Sequence, residues 1–132
     1  MQDFNKLIDL ARAKARKWQP SPNMEVGGVA AAILTRSGTI FTGVCLDATC
    51  GIGFCAEHSA IAKMLEEGES EIVAVVALTH RGRFLPPCGR CRELMFQTNP
   101  LNLATRILID AETSVTLADL LPMRWQEFKT PQ

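Results

Sequence analysis

The chain has 132 residues, 47% of them apolar and 21% charged, and its 14 basic and 14 acidic side chains leave a formal net charge of zero. That length and balance fit one soluble globular domain, residues 1–132, with a single core. Neutrality removes any electrostatic drive toward phosphate backbones or anionic membranes, so neither nucleic acid nor membrane is an expected partner. No apolar run approaches the ~20 residues of a bilayer span, and Met1 to Asn5 has no secretory pattern, so a cytoplasmic location is expected.

Residues from Asp3 to Trp18 read as an amphipathic helix, with Phe4, Leu7, Ile8, Ala11, Ala15 and Trp18 at helical spacing. Pro20-Ser21-Pro22-Asn23 stops it and opens a loop. Two strands follow, Gly28 to Arg36 and Thr39 to Leu46, joined by a hairpin turn at Ser37-Gly38. Asp47 to Phe54, with Gly51 and Gly53, is a loop. Ala56 to Glu67 is helical, and Glu57 lies one turn before Ile61, so its carboxylate faces inward with the apolar stripe. A carboxylate placed there is costly without a partner or a role. Glu71 to Thr79 is a near-continuous apolar run, Ile72 to Leu78 at its heart, and reads as a central buried strand. A third helix runs from Cys88 to Thr98, a strand from Arg106 to Asp110, and a brief helix follows the capping-box pattern Thr116-Leu117-Ala118-Asp119. This order predicts an α/β layered fold with a mixed sheet.

Five cysteines are an odd number in a chain expected to be cytosolic, which favours metal or reactive roles over disulfides. Cys55-Ala56-Glu57 and Pro87-Cys88-Gly89-Arg90-Cys91 together offer three thiolates and one carboxylate that need not bind. That is the inventory of a catalytic Zn2+ site with an open fourth position. Both stretches fall at predicted helix N-termini, where the dipole favours a thiolate. Three thiolates on a divalent ion leave a net charge of about −1, which a cation would offset; Arg90 is the first candidate, with Arg92 or His58. A different outcome stays open at this point. Cys50 as a fourth ligand would close a purely structural four-cysteine module, and Cys88 and Cys91 alone would suit a redox pair. Cys50 reads as a loop thiol, His80 as solvent-facing, Trp18 as core, and Trp125 either as core or as cover for a neighbouring subunit's pocket.

The two cysteine stretches resemble the small homotetrameric cytidine deaminases and the related blasticidin S deaminases, whose signature uses a non-ligand Glu as general acid/base. The likeness runs from about Val29 to Trp125, and Gly38 to Val44, Pro87 to Arg92 and Leu120-Leu121-Pro122 with Trp125 are closest to the blasticidin S branch. It implies a three-layer α/β/α sandwich with a mixed five-stranded sheet and a homotetramer (or dimer) with sites near subunit interfaces. It implies a zinc hydrolase that releases ammonia from a small cytosine-like compound, in pyrimidine salvage or antibiotic resistance. Cys55, Cys88 and Cys91 would hold the metal, Glu57 would carry protons to the ring nitrogen and the departing ammonia, and backbone near Ala56 and Cys88 would hold the ring.

The departures bear on the substrate. Where cytidine deaminases carry Asn-x-Glu for the ribose, this chain has Cys45-Leu46-Asp47, and a thiol lacks the paired donor and acceptor of an amide. Gly27 stands where the family tends to have a Phe, and His58 where a basic residue usually follows the catalytic Glu. Cys45, Asp47, Ala56 and Trp125 are therefore the candidate substrate residues, and a free base or isocytosine-type heterocycle is the alternative substrate. Polynucleotide editing fits poorly with zero net charge and with Cys55 where editing relatives usually have His.

Overall fold

The structure is a computed structural model that describes residues 4–129. Helix α1 spans Asn5–Lys14 and buries Leu7, Ile8 and Ala11. Its predicted start, Asp3, lies outside the described residues. The helix ends four residues before Trp18, because the chain leaves helical geometry at Ala15 (ψ 74°). Trp18 instead opens a short strand, β1 (Trp18–Ser21), and is 58% exposed, so it is not the core residue its spacing predicts. Pro20 is tolerated within β1 because this is an edge strand, where a missing N–H need not break a ladder bond.

Strand β2 runs Met24–Thr35 and β3 Ile40–Ala48, longer than predicted, around the expected turn, where Gly38 takes a φ of +94°. Strand β4 (Ile72–Thr79) pairs antiparallel with β2, and β5 (Arg106–Leu108) pairs parallel with β4. A three-residue strand, β6 (Ser114–Thr116), then pairs antiparallel with β5. The sheet is mixed, in the order β3-β2-β4-β5-β6, with β1 beside the first residues of β2. Among the described residues it has six strands, one more than the five the resemblance implies.

Alternation along β2 and β4 divides the core in two. Ala32, Ala74, Val76 and Leu78 face α1, while Ile33 and Val75 face the opposite side. On that side lie α2 (Ala56–Glu66), α3 (Gly89–Thr98) and α4 (Leu117–Leu120). Ala60, Ile61 and Met64 of α2, Met95 of α3 and Leu117 of α4 are buried there. The result is a three-layer α/β/α sandwich. The capping box before α4 is present, with Thr116 and Asp119 each accepting the other's backbone N–H.

The buried Asn102 side chain joins α3 to β4: it accepts from Ile72 N–H at 2.8 Å and donates to Met95 O at 2.9 Å. Because α2 and α3 lie on one face, their N-termini meet at the same end of the sheet.

Candidate active site

Cys55 is the N-cap of α2 and Cys88 the N-cap of α3, both in extended backbone, and Cys91 lies in the first turn of α3. Cys55 Sγ is 3.1 Å from Cys88 Sγ, which is 3.8 Å from Cys91 Sγ, and the three sulfurs all lie within 4.8 Å of one another. Tetrahedral zinc with bonds of ~2.3 Å places its sulfurs about 3.8 Å apart, so this donor set fits the ion. Cys91 is buried, Cys55 half-buried and Cys88 exposed, which leaves one side of the cluster open.

Electrostatics favour a cation here. Burial pushes the Cys55 thiol up to about 11, reinforced by its hydrogen bond and charge interaction with Cys88 and by the Glu57 charge. Burial likewise raises Cys91, with Glu57, Cys55 and Cys88 adding to it. For Cys88 the cost of burial is outweighed by hydrogen bonds from Cys55, from Cys91 and from the Arg90 amide, and its thiol lies below the ordinary value. A divalent ion would relieve this crowding of like charges and displace the protons. Glu57, 4% exposed, sits beside the cluster, and burial pushes its carboxyl up. A carboxyl raised by burial and facing a cavity suits proton transfer.

The cluster opens into a cavity of about 660 Å³ lined by Cys55, Glu57 and Cys88. Of the residues read as candidates from sequence, Cys45, Asp47, Ala56 and Arg90 line it too. Burial raises the Cys45 thiol, opposed by the Val29 and Gly27 amides. Three candidates lie elsewhere. Arg92 donates to Pro87 O at 2.8 Å and Leu120 O at 3.1 Å, so it braces the segment leading to Cys88. His58 stacks on Phe54 at 5.6 Å, and its Nδ1 is buried with no hydrogen-bond partner among the described residues. Trp125 is 56% exposed and lies under Lys129 Nζ at 4.3 Å from its ring centroid, away from this chain's cavity. Cys50 is exposed at the cavity edge and stands outside the three-sulfur cluster.

The sequence reading gave no site role to Lys17, Glu25 or His80, which also line the cavity. Glu25 lies opposite Asp47 in the β2–β3 register and forms an ion pair with Lys17 at 3.3 Å. Running the hairpin back from Ser37-Gly38 offers a signal for this, but it misplaces Glu25 by two residues unless the irregularity near Gly27 is known. His80 is exposed, as expected, yet its Nδ1 lies 3.3 Å from Gly28 O on the cavity wall.

Comparison with known proteins agrees with this geometry. Residues 1–105 match the family model for the cytidine and deoxycytidylate deaminase zinc-binding region. The chain is 30% identical over 114 residues to a cytidine deaminase of Halalkalibacterium halodurans, covering 84% of each. It is 29% identical to a blasticidin-S deaminase of Bacillus cereus, covering 95% of this chain and 98% of that one. The crystal structure of cytidine deaminase from Mycobacterium leprae superposes with a TM-score of 0.76 at 30% identity, over 93% of this chain and 100% of that chain. The Mycobacterium tuberculosis enzyme gives 0.77 at 26% identity, over 93% and 97%. Fold, thiol cluster and kinship agree: the chain belongs to the cytidine and deoxycytidylate deaminase family, zinc-dependent hydrolases of small cytosine-like compounds.

Proposed function

We propose that the protein deaminates a cytosine nucleoside, of the cytidine, deoxycytidine or blasticidin S kind, with Cys55, Cys88 and Cys91 as zinc ligands and Glu57 as the proton carrier. The observation that carries this is the buried Glu57 carboxyl beside three converging sulfurs on the wall of a cavity. Zinc held by the three thiolates supplies Lewis-acid activation of water at neutral pH. Glu57 takes up one proton from the attacking water and delivers it to the ring nitrogen. It then takes the hydroxyl proton of the tetrahedral carbon and gives it to the amino group, which departs as ammonia as the carbon–nitrogen bond breaks and the carbonyl forms. The α2 and α3 N-termini direct backbone amides toward the same space and hold the ring beside Ala56 and Cys88. Arg90 offsets the excess negative charge of the three thiolates, since it follows Cys88 in the chain and lines the same cavity.

The 132 residues act as one deaminase domain, in the cytoplasm, as part of pyrimidine salvage. Among the described residues no helix is long and apolar enough to cross a membrane. We assign the assembly as a homotetramer with sites near subunit interfaces, supported by Met123, Trp125 and Phe128, which are 79%, 56% and 70% exposed on one short C-terminal segment. The free base or a modified heterocycle is the second reading. It is favoured by Cys45, whose sulfur is already occupied by the Val29 amide and offers no amide-like grip to a ribose.

Ammonia release by zinc-loaded protein over cytidine, deoxycytidine, cytosine, isocytosine and blasticidin S tests both, with Glu57→Gln as blank. Turnover of a nucleoside that vanishes in the variant supports the first reading. Turnover of the base alone supports the second, and silence across the panel overturns both.

A further inference from the structure

Strand β2 carries an irregularity on the cavity wall. Val26 pairs with Leu46 and Ala30 with Val44, so Gly27, Gly28 and Val29 together face the single residue Cys45. Bulges of this kind re-aim the chain beside sites and leave backbone groups without ladder partners. Here the partners come from one side chain and from the residue that follows β4. Cys45 Sγ accepts from Val29 N–H at 3.2 Å, and His80 N–H donates to Gly28 O at 2.8 Å. The bulge cannot relax easily, because Gly27 holds a φ of +80° and a Cβ there would collide with Arg16 O. Cys45 is 7% exposed and belongs to the small apolar cluster of Ala31, Ala56 and Ala77, against which Val29 packs. It therefore holds the bulge and shares a packed cluster with the first residue of α2, next to Glu57 in the chain. Gly28 and Val29 line the same cavity as Glu57 and Cys88.

We propose that Cys45 is a positioning residue for the substrate: by accepting the Val29 amide, its sulfur holds the Gly27-Gly28-Val29 bulge rigid as the cavity wall that sets how the substrate's ring substituent lies. It acts through backbone and makes no bond to the substrate itself. This role belongs to the deaminase reading above, and it concerns KM more than the chemical step, because the sulfur cluster and Glu57 are held by α2 and α3.

The test uses zinc-loaded protein carrying Cys45→Ala and Cys45→Ser, with three readouts: Val29 amide hydrogen exchange by NMR, zinc per chain, and kcat and KM on whichever compound the wild type turns over. Cys45→Ala is expected to accelerate Val29 exchange at least tenfold and to raise KM about tenfold, with kcat within about threefold and zinc unchanged. Cys45→Ser, whose hydroxyl still accepts a hydrogen bond, restores most of both. Cys45→Val fills the volume without a strong acceptor, carries the same expectation as alanine, and replaces it should the alanine variant not fold. Unchanged Val29 exchange, or unchanged KM with accelerated exchange, overturns the proposal. A wild type inactive on every compound defeats the deaminase reading instead, and the exchange data still decide whether the clamp exists.

Discussion

Gly43 of β3 lies so close to Ala60 of α2 that a Cβ at Gly43 would overlap the Ala60 amide nitrogen, with Ala56 O and Ser59 Cβ equally near. The helix that begins at Cys55 thus rests directly on the sheet, and only a residue without a side chain permits that approach. Gly43→Ala is expected to push the start of α2 outward. Overpacking of a rigid core costs about 1–3 kcal/mol, so thermal unfolding should shift downward. Because Cys55 and Glu57 ride on the displaced turn, zinc affinity and activity should fall together. Calorimetry with zinc analysis on the same preparation checks this, and a stable variant with full zinc would mean that the helix seat does not set the metal geometry.

Glu57→Gln separates binding from chemistry. The amide keeps the volume of the carboxyl but cannot carry a proton, so turnover should drop by ~10²–10⁴-fold, the usual contribution of a positioned acid/base. Zinc should remain at about one per chain, because the sulfurs supply the ligands. Parallel loss of zinc would instead make Glu57 a ligand.

Metal removal tests the cluster. Three thiols lie within 4.8 Å of one another, burial and neighbouring charge make Cys55 and Cys91 costly to ionise, and an ion that relieves this stabilises the fold it joins. A chelator should lower the unfolding temperature, and serine at Cys55, Cys88 or Cys91 should reduce zinc retention sharply. Cys50→Ser should leave zinc and unfolding temperature unchanged, since Cys50 is exposed and outside the cluster. Zinc lost from the Cys50 variant would revive a four-cysteine structural site.

The sequence carried the chemistry and much of the layering, but not the margins. Glu57 could be placed inward because helical period fixes its face relative to Ile61, and Cys55, Cys88 and Cys91 because helix N-termini announce themselves by proline, glycine and the return of periodicity. Trp18 was misread because a helical stripe continues on paper past Lys14, whereas the chain must turn at Ala15 so that β1 can pair with β2. Strand β6 was missed because three residues give no measurable alternation. The bulge at Gly27-Gly28-Val29 has no local signature beyond two glycines, so the shift that brings Glu25 opposite Asp47 emerges only from the pairing itself. Trp125 is a question about neighbours, which one chain's sequence does not answer.

The capping box before α4 gives a prediction with a pH sign. Thr116→Ala removes the acceptor for the Asp119 amide and should cost about 1 kcal/mol, read from chemical denaturation. Asp119 is held below the usual carboxylate range, first by the Thr116 N–H and then by the Thr116 side chain. A carboxyl depressed on folding binds fewer protons than its unfolded counterpart, so its contribution is present above the ordinary Asp value of about 3.9 and is lost as pH falls through the lower folded value. Asp119→Asn should therefore flatten the acid limb of the stability curve in that window and leave the neutral region parallel to the wild type. An unchanged acid limb would mean that the Thr116 amide favours the protonated and ionised forms of Asp119 equally.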